Sequence, residues 1–291
     1  MAATSVPEAD VEREARIAWR ARLRAEALRH PELLLGLLIV AALLFIVAFP
    51  GALTDRSPTD VDVASAMAPP SAEHWFGTDE TGRDIYARVI YGARVTLGVV
   101  AGSLALSALI GGLSGLISGY LGRWPDMVAG RLIDVMLSFP PIILGVVITG
   151  VLGTGMANLV LALSVVYLPV FFRIARAGAI TEAGRTYVEA ARALGLSERA
   201  ILVRHVLRNV LPLVLVQYMI LFPLALQIEA ALGFLGLGIQ PPTPDWGAIL
   251  EQAKNYLLFA PWMSIFPGLF ILISALGVIL IGRSLQRMAE G

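Results

Sequence analysis

Residues 135–172 read VMLSFPPIILGVVITGVLGTGMANLVLALSVVYLPVFF, 38 positions without a single charge. Roughly 20 apolar helical residues cross a hydrocarbon core about 30 Å thick, so this run is too long for one crossing and slightly short for two. The turn signal TGVLGTGMAN at 149–158 divides it. Two helices result, and the first has to begin near Met127, before the charge-free run. Arg131 and Asp134 then lie one helical turn apart, close to a membrane face.

Four further charge-free stretches flank this pair, between Glu32 and Asp55, Arg94 and Arg123, Arg208 and Glu229, and Lys254 and Arg283. Six spans follow. The composition agrees: 57% of the 291 residues are hydrophobic, 15% are charged, and the mean hydropathy is +0.76. A water-soluble core of this length cannot hide that much apolar surface. The formal net charge of zero gives no field for nucleic acid. No cysteine is present, which removes disulfides and thiolate chemistry. About thirty polar residues precede the first apolar run, so that run is expected to stay as an anchor and not to be a cleaved signal.

Six spans put both termini on one side, and the positive-inside rule chooses it. Segments on the terminal side hold 17 of the 22 Lys and Arg residues, which predicts cytoplasmic termini. The expected organisation is a cytoplasmic segment 1–32, a first helix 33–52, an outward segment 53–94, and a five-helix core 95–285. The core carries a cytoplasmic loop 173–210 and an outward loop 237–261, and a short tail 286–291 follows. The acid–arginine alternation VEREARIAWRARLRAEALRH (11–30) suits an interfacial or solvated helix. In the second span Ser103, Ser107, Gly111, Gly115 and Gly119 recur every four residues, the pattern of close helix packing in lipid.

The loop TYVEAARALGLSERAILVRHVLRNVLP (186–212) is polar enough to leave the membrane and strongly helical. Thr186 with Glu189 makes a capping-box signature, Gly195 stands where a left-handed residue ends a two-turn helix, and Ser197 can cap the next. Ala190 and Ala191 keep one side of the short helix thin, so another protein can approach its backbone. At the opposite face Gly77, Thr78, Asp79, Gly82, Arg83 and Asp84 alternate glycine with charge, as a loop locked by ion pairs would. Pro241, Pro242 and Pro244 stiffen a second loop, with Trp246 expected to anchor it at the bilayer interface. Glu229 is a carboxylate in an otherwise apolar outer half-span, where burial is expensive; it is either a gating residue or a structural partner inside the bundle. Chemistry is poorly provided for. His30, His74 and His205 fall outside the spans, and the sequence holds no HExxH, no paired-Asp pattern, no Gly-x-Ser-x-Gly and no GxxxxGK[ST] phosphate loop. An intramembrane enzyme and a self-sufficient carrier with internal repeats both fit less well than a subunit that borrows its energy source.

Glu189, Ala190, Ala191 and Gly195, in the main loop of a six-span chain, resemble the EAA motif of ABC importer permeases. The family pattern continues to a proline about thirteen residues after the glycine; here that place holds Arg208, with Pro212 four residues on. HWFGTDETGRDIYARVIYGARVTL (74–97) and GFLGLGIQPPTPDWG (233–247) look like signature segments of the C-type subunits of dipeptide and oligopeptide permeases. The resemblance implies an all-α type I importer permease in a bacterial inner membrane. It also implies a second permease subunit, two ATPase subunits that bind ATP and Mg, and a periplasmic solute-binding protein. In that family the loop forms the coupling helix that docks on the ATPase, which assigns Thr186, Glu189, Ala190, Ala191, Gly195 and Ser197 to coupling. Peptides are the expected solute, with nickel chelates or glutathione as alternatives. No cofactor or metal is expected in this chain.

Overall fold

The computed structural model describes residues 31–290, all of them helix, turn or loop apart from one isolated bridge between Thr78 and Asp84. The expected N-terminal interfacial helix lies outside the described residues. Helix α1 (Pro31–Ala48) opens on a proline and stops before Pro50. Helix α2 (Ile85–Leu121) is 37 residues long, because Asp84 caps it by accepting from Ala87 N at 2.8 Å and nothing in DIYARVIYGARV breaks it. The outward segment therefore ends at Asp84, ten residues before the expected Arg94. Two arginines consequently sit inside a helix, and each finds partners. Arg94 donates to the terminal carbonyls of α1, Val47 O at 2.9 Å and Ala48 O at 3.1 Å.

The charge-free run resolves into α3 (Arg123–Leu137) and α4 (Pro141–Leu152), bent by 92° at Ser138–Pro140. Consecutive prolines explain the break: Pro140 forces its predecessor out of the helical region and Pro141 restarts the helix at its first position. Five helices are each long and apolar enough to cross a membrane; α3 and α4 pass the same test only together, as a broken span or a re-entrant loop, so the helix expected to run on from Met127 is interrupted. The Gly153–Gly155 turn after α4 has both glycines at positive φ, and Asn158 closes it by donating to Leu152 O at 2.8 Å. Helix α5 (Met156–Ala183) extends well past Phe172, followed by α6 (Thr186–Ala193) and α7 (Glu198–Phe234). The expected loop 173–210 is thus almost entirely helical. A π-helical turn, Leu202–Val206, carries the chain into the spanning part of α7, upstream of the position where the family pattern has its proline. Helices α8 (Trp246–Ala253) and α9 (Trp262–Glu290) complete the chain.

The centre of the bundle is the α2–α5 pair. A Cβ on Gly111 would lie 2.5 Å from Leu168 O, on Gly115 2.2 Å from Phe172 O, and on Gly119 2.5 Å from Arg176 O. Only hydrogen fits there. Between these backbones Ser107 Oγ donates to Ser164 O at 2.8 Å and Ser164 Oγ to Ser103 O at 3.1 Å, so the polar groups are satisfied without water. Helix α7 packs across both members of the pair, and α1 lies outside against α9.

Candidate functional site

At one end of the bundle α6 lies as a two-turn strut. Only Gly184 and Arg185 separate it from α5, so Arg185 occupies the cap position in extended conformation and Thr186 becomes the first helical residue. The Thr186–Glu189 capping box is therefore not formed, and Thr186 caps nothing. A different network fixes the strut. Glu182 accepts from Tyr187 Oη at 2.6 Å and from Asn209 Nδ2 at 3.0 Å, which ties the end of α5 and the start of α6 to α7. Sequence spacing gives little sign of this triad, because Asn209 is 27 residues from Glu182.

The strut ends as its glycine demands. Gly195 has φ +82°, Leu194 N donates to Ala190 O at 3.0 Å, and Leu196 N reaches Ala191 O at 3.1 Å. Ser197 caps α7 by accepting from Ala200 N at 3.4 Å. Arg192 Nε then donates to Glu198 at 3.0 Å, and Tyr120 Oη also binds Glu198, so α6, α7 and the end of α2 are joined. Val188 and Ala191 are buried against the bundle, whereas Glu189, Ala190 and Leu194 face outward. Ala191 thus belongs to the inner face: its small side chain lets α6 lie close to its own bundle, and of the two alanines only Ala190 contributes to the thin outer surface.

Beside this end, α3 is pinned to α5. Arg176 Nε and Nη2 each reach an Asp126 oxygen at 2.5 Å, and Ser118 Oγ donates to the same carboxylate at 2.7 Å. Asp134 pairs with Arg173 at 2.8 Å, with both side chains more than half exposed. Arg131, expected near Asp134, lines the same cleft of about 520 Å³ together with Asp126, Asp134, Arg173 and Arg176.

The opposite end is organised by Asp79. One carboxylate oxygen accepts from Thr81 N and Thr81 Oγ1 at 2.8 Å and from Arg83 N at 3.0 Å. The other accepts from Arg83 Nε and Arg88 Nη1, both at 2.6 Å. Arg88 then reaches Gln252 on α8 at 2.9 Å. Burial alone would raise the Asp79 carboxyl, but Arg88, Thr81 and Arg83 outweigh it and hold it below the usual carboxylate range. Gly77 and Gly82 are left-handed, and a Cβ on Gly82 would overlap Asp62 O. Thr78 Oγ1 binds Ser65 O while accepting from Ala68 N at 2.8 Å, and Asp84 Oδ2 lies 2.9 Å from His74 Nδ1.

Trp246 is fully buried inside the protein, so its ring is not offered to the bilayer as an interfacial anchor would be. Its indole donates to Val89 O at 2.9 Å, while its backbone N–H donates to Thr96 Oγ1, whose hydroxyl donates to Asp245 at 2.7 Å. Asp245 in turn caps α8 by accepting from Ala248 N at 3.0 Å. Pro241 and Pro242 remain exposed on the loop leading to it. Glu229 turns into the protein interior; neither of its oxygens has a hydrogen-bond partner, and its ionisable neighbour is Asp245.

The fold and its two ends define a polytopic helical membrane protein with a packed strut at one face and an ion-locked loop at the other. Residues 111–290 match the family model described as binding-protein-dependent transport system inner membrane component. The dipeptide transport system permease protein DppC of Alkalihalophilus pseudofirmus is 39% identical over 253 residues, covering 87% of this chain and 83% of that protein. The probable D,D-dipeptide transport system permease protein DdpC of Escherichia coli is 36% identical, covering 87% and 85%. The glutathione transport system permease protein GsiD of Pectobacterium atrosepticum is 37% identical over 217 residues, covering 75% and 72%. The chain belongs to the family of binding-protein-dependent transport system inner membrane components.

Proposed function

We propose that this chain is one of two permease subunits of an ATP-driven importer that carries di- or oligopeptides across a bacterial inner membrane. The observation that carries the coupling role is the geometry of α6. Its outward residues Glu189 and Ala190 stand on a strut whose inner face is packed, whose start is tied through Glu182 and Asn209, and whose end is joined to α7 through Arg192 and Glu198. A push on such a strut moves the spanning helix with it.

The partners are a second permease, two ATPase subunits that bind ATP and Mg, and an external solute-binding protein. No cofactor is assigned to this chain. The distribution of arginine supports an orientation with α6 and both termini in the cytoplasm and the Asp79 loop outside. ATP binding draws the ATPase pair together and carries the coupling struts with it, so the bundle changes the side on which it opens. The names of the similar proteins support peptides as solute. The similarity to a glutathione permease favours glutathione, itself a tripeptide, as the second reading.

Gly195→Asp places a side chain on a left-handed residue at a strain of about 1–2 kcal/mol, with no atom within 4 Å of the added Cβ. Glu189→Lys reverses an outward charge. Both variants are expected to insert and assemble, and to lose peptide uptake and binding-protein-stimulated ATP hydrolysis together. Full uptake with full stimulation in either variant removes that residue from the coupling role. Competition of labelled dipeptide uptake by glutathione separates the two solute readings.

A further inference from the structure

Helix α7 presents one face that does not suit lipid. Leu213, Gln217, Ile220, Leu224 and Gln227 follow one another at intervals of four, three, four and three residues, so they share one side of the helix. Leu213, Ile220, Leu224 and Gln227 are exposed on it and Gln217 is half-exposed. Neither glutamine makes a hydrogen bond among the described residues, whereas Tyr218, beside Gln217, turns inward and donates to Ala101 O at 2.9 Å. That bond also fixes depth: Gln217 lies level with the middle of α2. Gln227 stands ten residues further along, about 15 Å at 1.5 Å per residue, near the level of Arg94.

A primary amide facing hydrocarbon leaves two donors and an acceptor unmet, at a cost of several kcal/mol. No intramolecular partner stands beside either among the described residues, and Glu229, on the opposite side of the same helix, is fully buried. We propose that the Gln217–Gln227 face of α7 lines the water-filled solute path and that its two side-chain amides hydrogen-bond the backbone amides of a passing peptide. This assignment rests on the permease reading above. The ligand chemistry follows from the surface: neutral amides between leucine and isoleucine carry no charge to select particular side chains, and an amide is complementary to a peptide bond as both donor and acceptor. Helix α7 is also the helix that α6 moves, so the same displacement that switches the bundle would move these contacts.

The natural chain has no cysteine, so single cysteines report directly. In the assembled transporter, Gln217→Cys and Gln227→Cys are expected to react with a small membrane-impermeant thiol reagent at least about tenfold faster than Leu38→Cys, on the exposed apolar face of α1. Labelling as slow as that of Leu38→Cys, in both the resting and the ATP-trapped transporter, overturns the proposal and assigns the face to lipid or to the partner permease. A second measurement uses uptake. Gln227→Leu is expected to raise KM for a labelled tripeptide about tenfold, the worth of one good hydrogen bond, with Gln227→Asn falling between it and the natural protein. An unchanged KM in Gln227→Leu overturns the role in peptide binding. Fast labelling in a complex that imports no peptide would leave the path in place and remove the solute assignment instead.

Discussion

Removing the Asp79 carboxylate is expected to be the most damaging single change outside the helix-packing core. Asp79→Ala leaves two guanidiniums, those of Arg83 and Arg88, without their common counter-charge, at positions where their side chains are 8% and 1% exposed. Breaking a buried pair by deleting one partner costs about 3–5 kcal/mol, because the remaining charge stays desolvated. Arg88→Met should cost less, about 1.5–3 kcal/mol, since Asp79 keeps Arg83 and the change also removes a buried Arg88 Nε that has no acceptor. The cost falls on local opening of the loop and not on the whole bundle, so hydrogen exchange is the assay. The amides of Thr78, Gly82 and Ile85, which donate to Ala68 O, Asp79 O and Gly77 O, report the closed state. In Asp79→Ala their exchange should accelerate by about 10² to 10³-fold or more, while amides in α5 stay unchanged. The double variant Asp79→Ala with Arg88→Met should cost less than the sum of the two. An acceleration below about tenfold, or a larger effect for Arg88→Met than for Asp79→Ala, would refute the account of Asp79 as the shared anchor.

The same clamp should respond to acid: because the folded Asp79 carboxyl lies below its unfolded value of 3.8, its stabilisation is present above that pH and is lost as pH falls through the lower folded value. Loop exchange should therefore rise below about pH 4 in the natural protein and not in Asp79→Ala. Gly115→Val drives side-chain atoms toward Phe172 O, which a Cβ alone would approach to 2.2 Å, so α2 and α5 must separate and the assembled complex should be lost on purification. Asp134→Ala, by contrast, should change thermal stability by no more than about 1 kcal/mol, since its pair with Arg173 is solvent-exposed.

The lipid-soluble class, five of the spans and the site of the strut were legible in the sequence, because these depend on local quantities: apolar run length, and a glycine that adopts φ +82° at position 195 without strain, whereas the break between α3 and α4 left the sixth span open. The repeat from Ser103 to Gly119 was equally legible, since small residues every four positions have one cheap use in lipid. What the tertiary structure decided was who meets whom across long separations. Thr186 carries a capping signature, yet the two-residue link from α5 moves the cap position to Arg185. Trp246 has the composition of an interfacial anchor, yet Val89, 157 residues away, supplies an acceptor for its indole and the residue is fully buried. Arg88 could be read as the end of a loop until Asp79 and Gln252, 9 and 164 residues distant, made it tolerable inside a helix. In each case the local pattern states what a side chain needs, and only the packed bundle states which distant group meets that need, because lipid supplies no partner of its own to a polar atom.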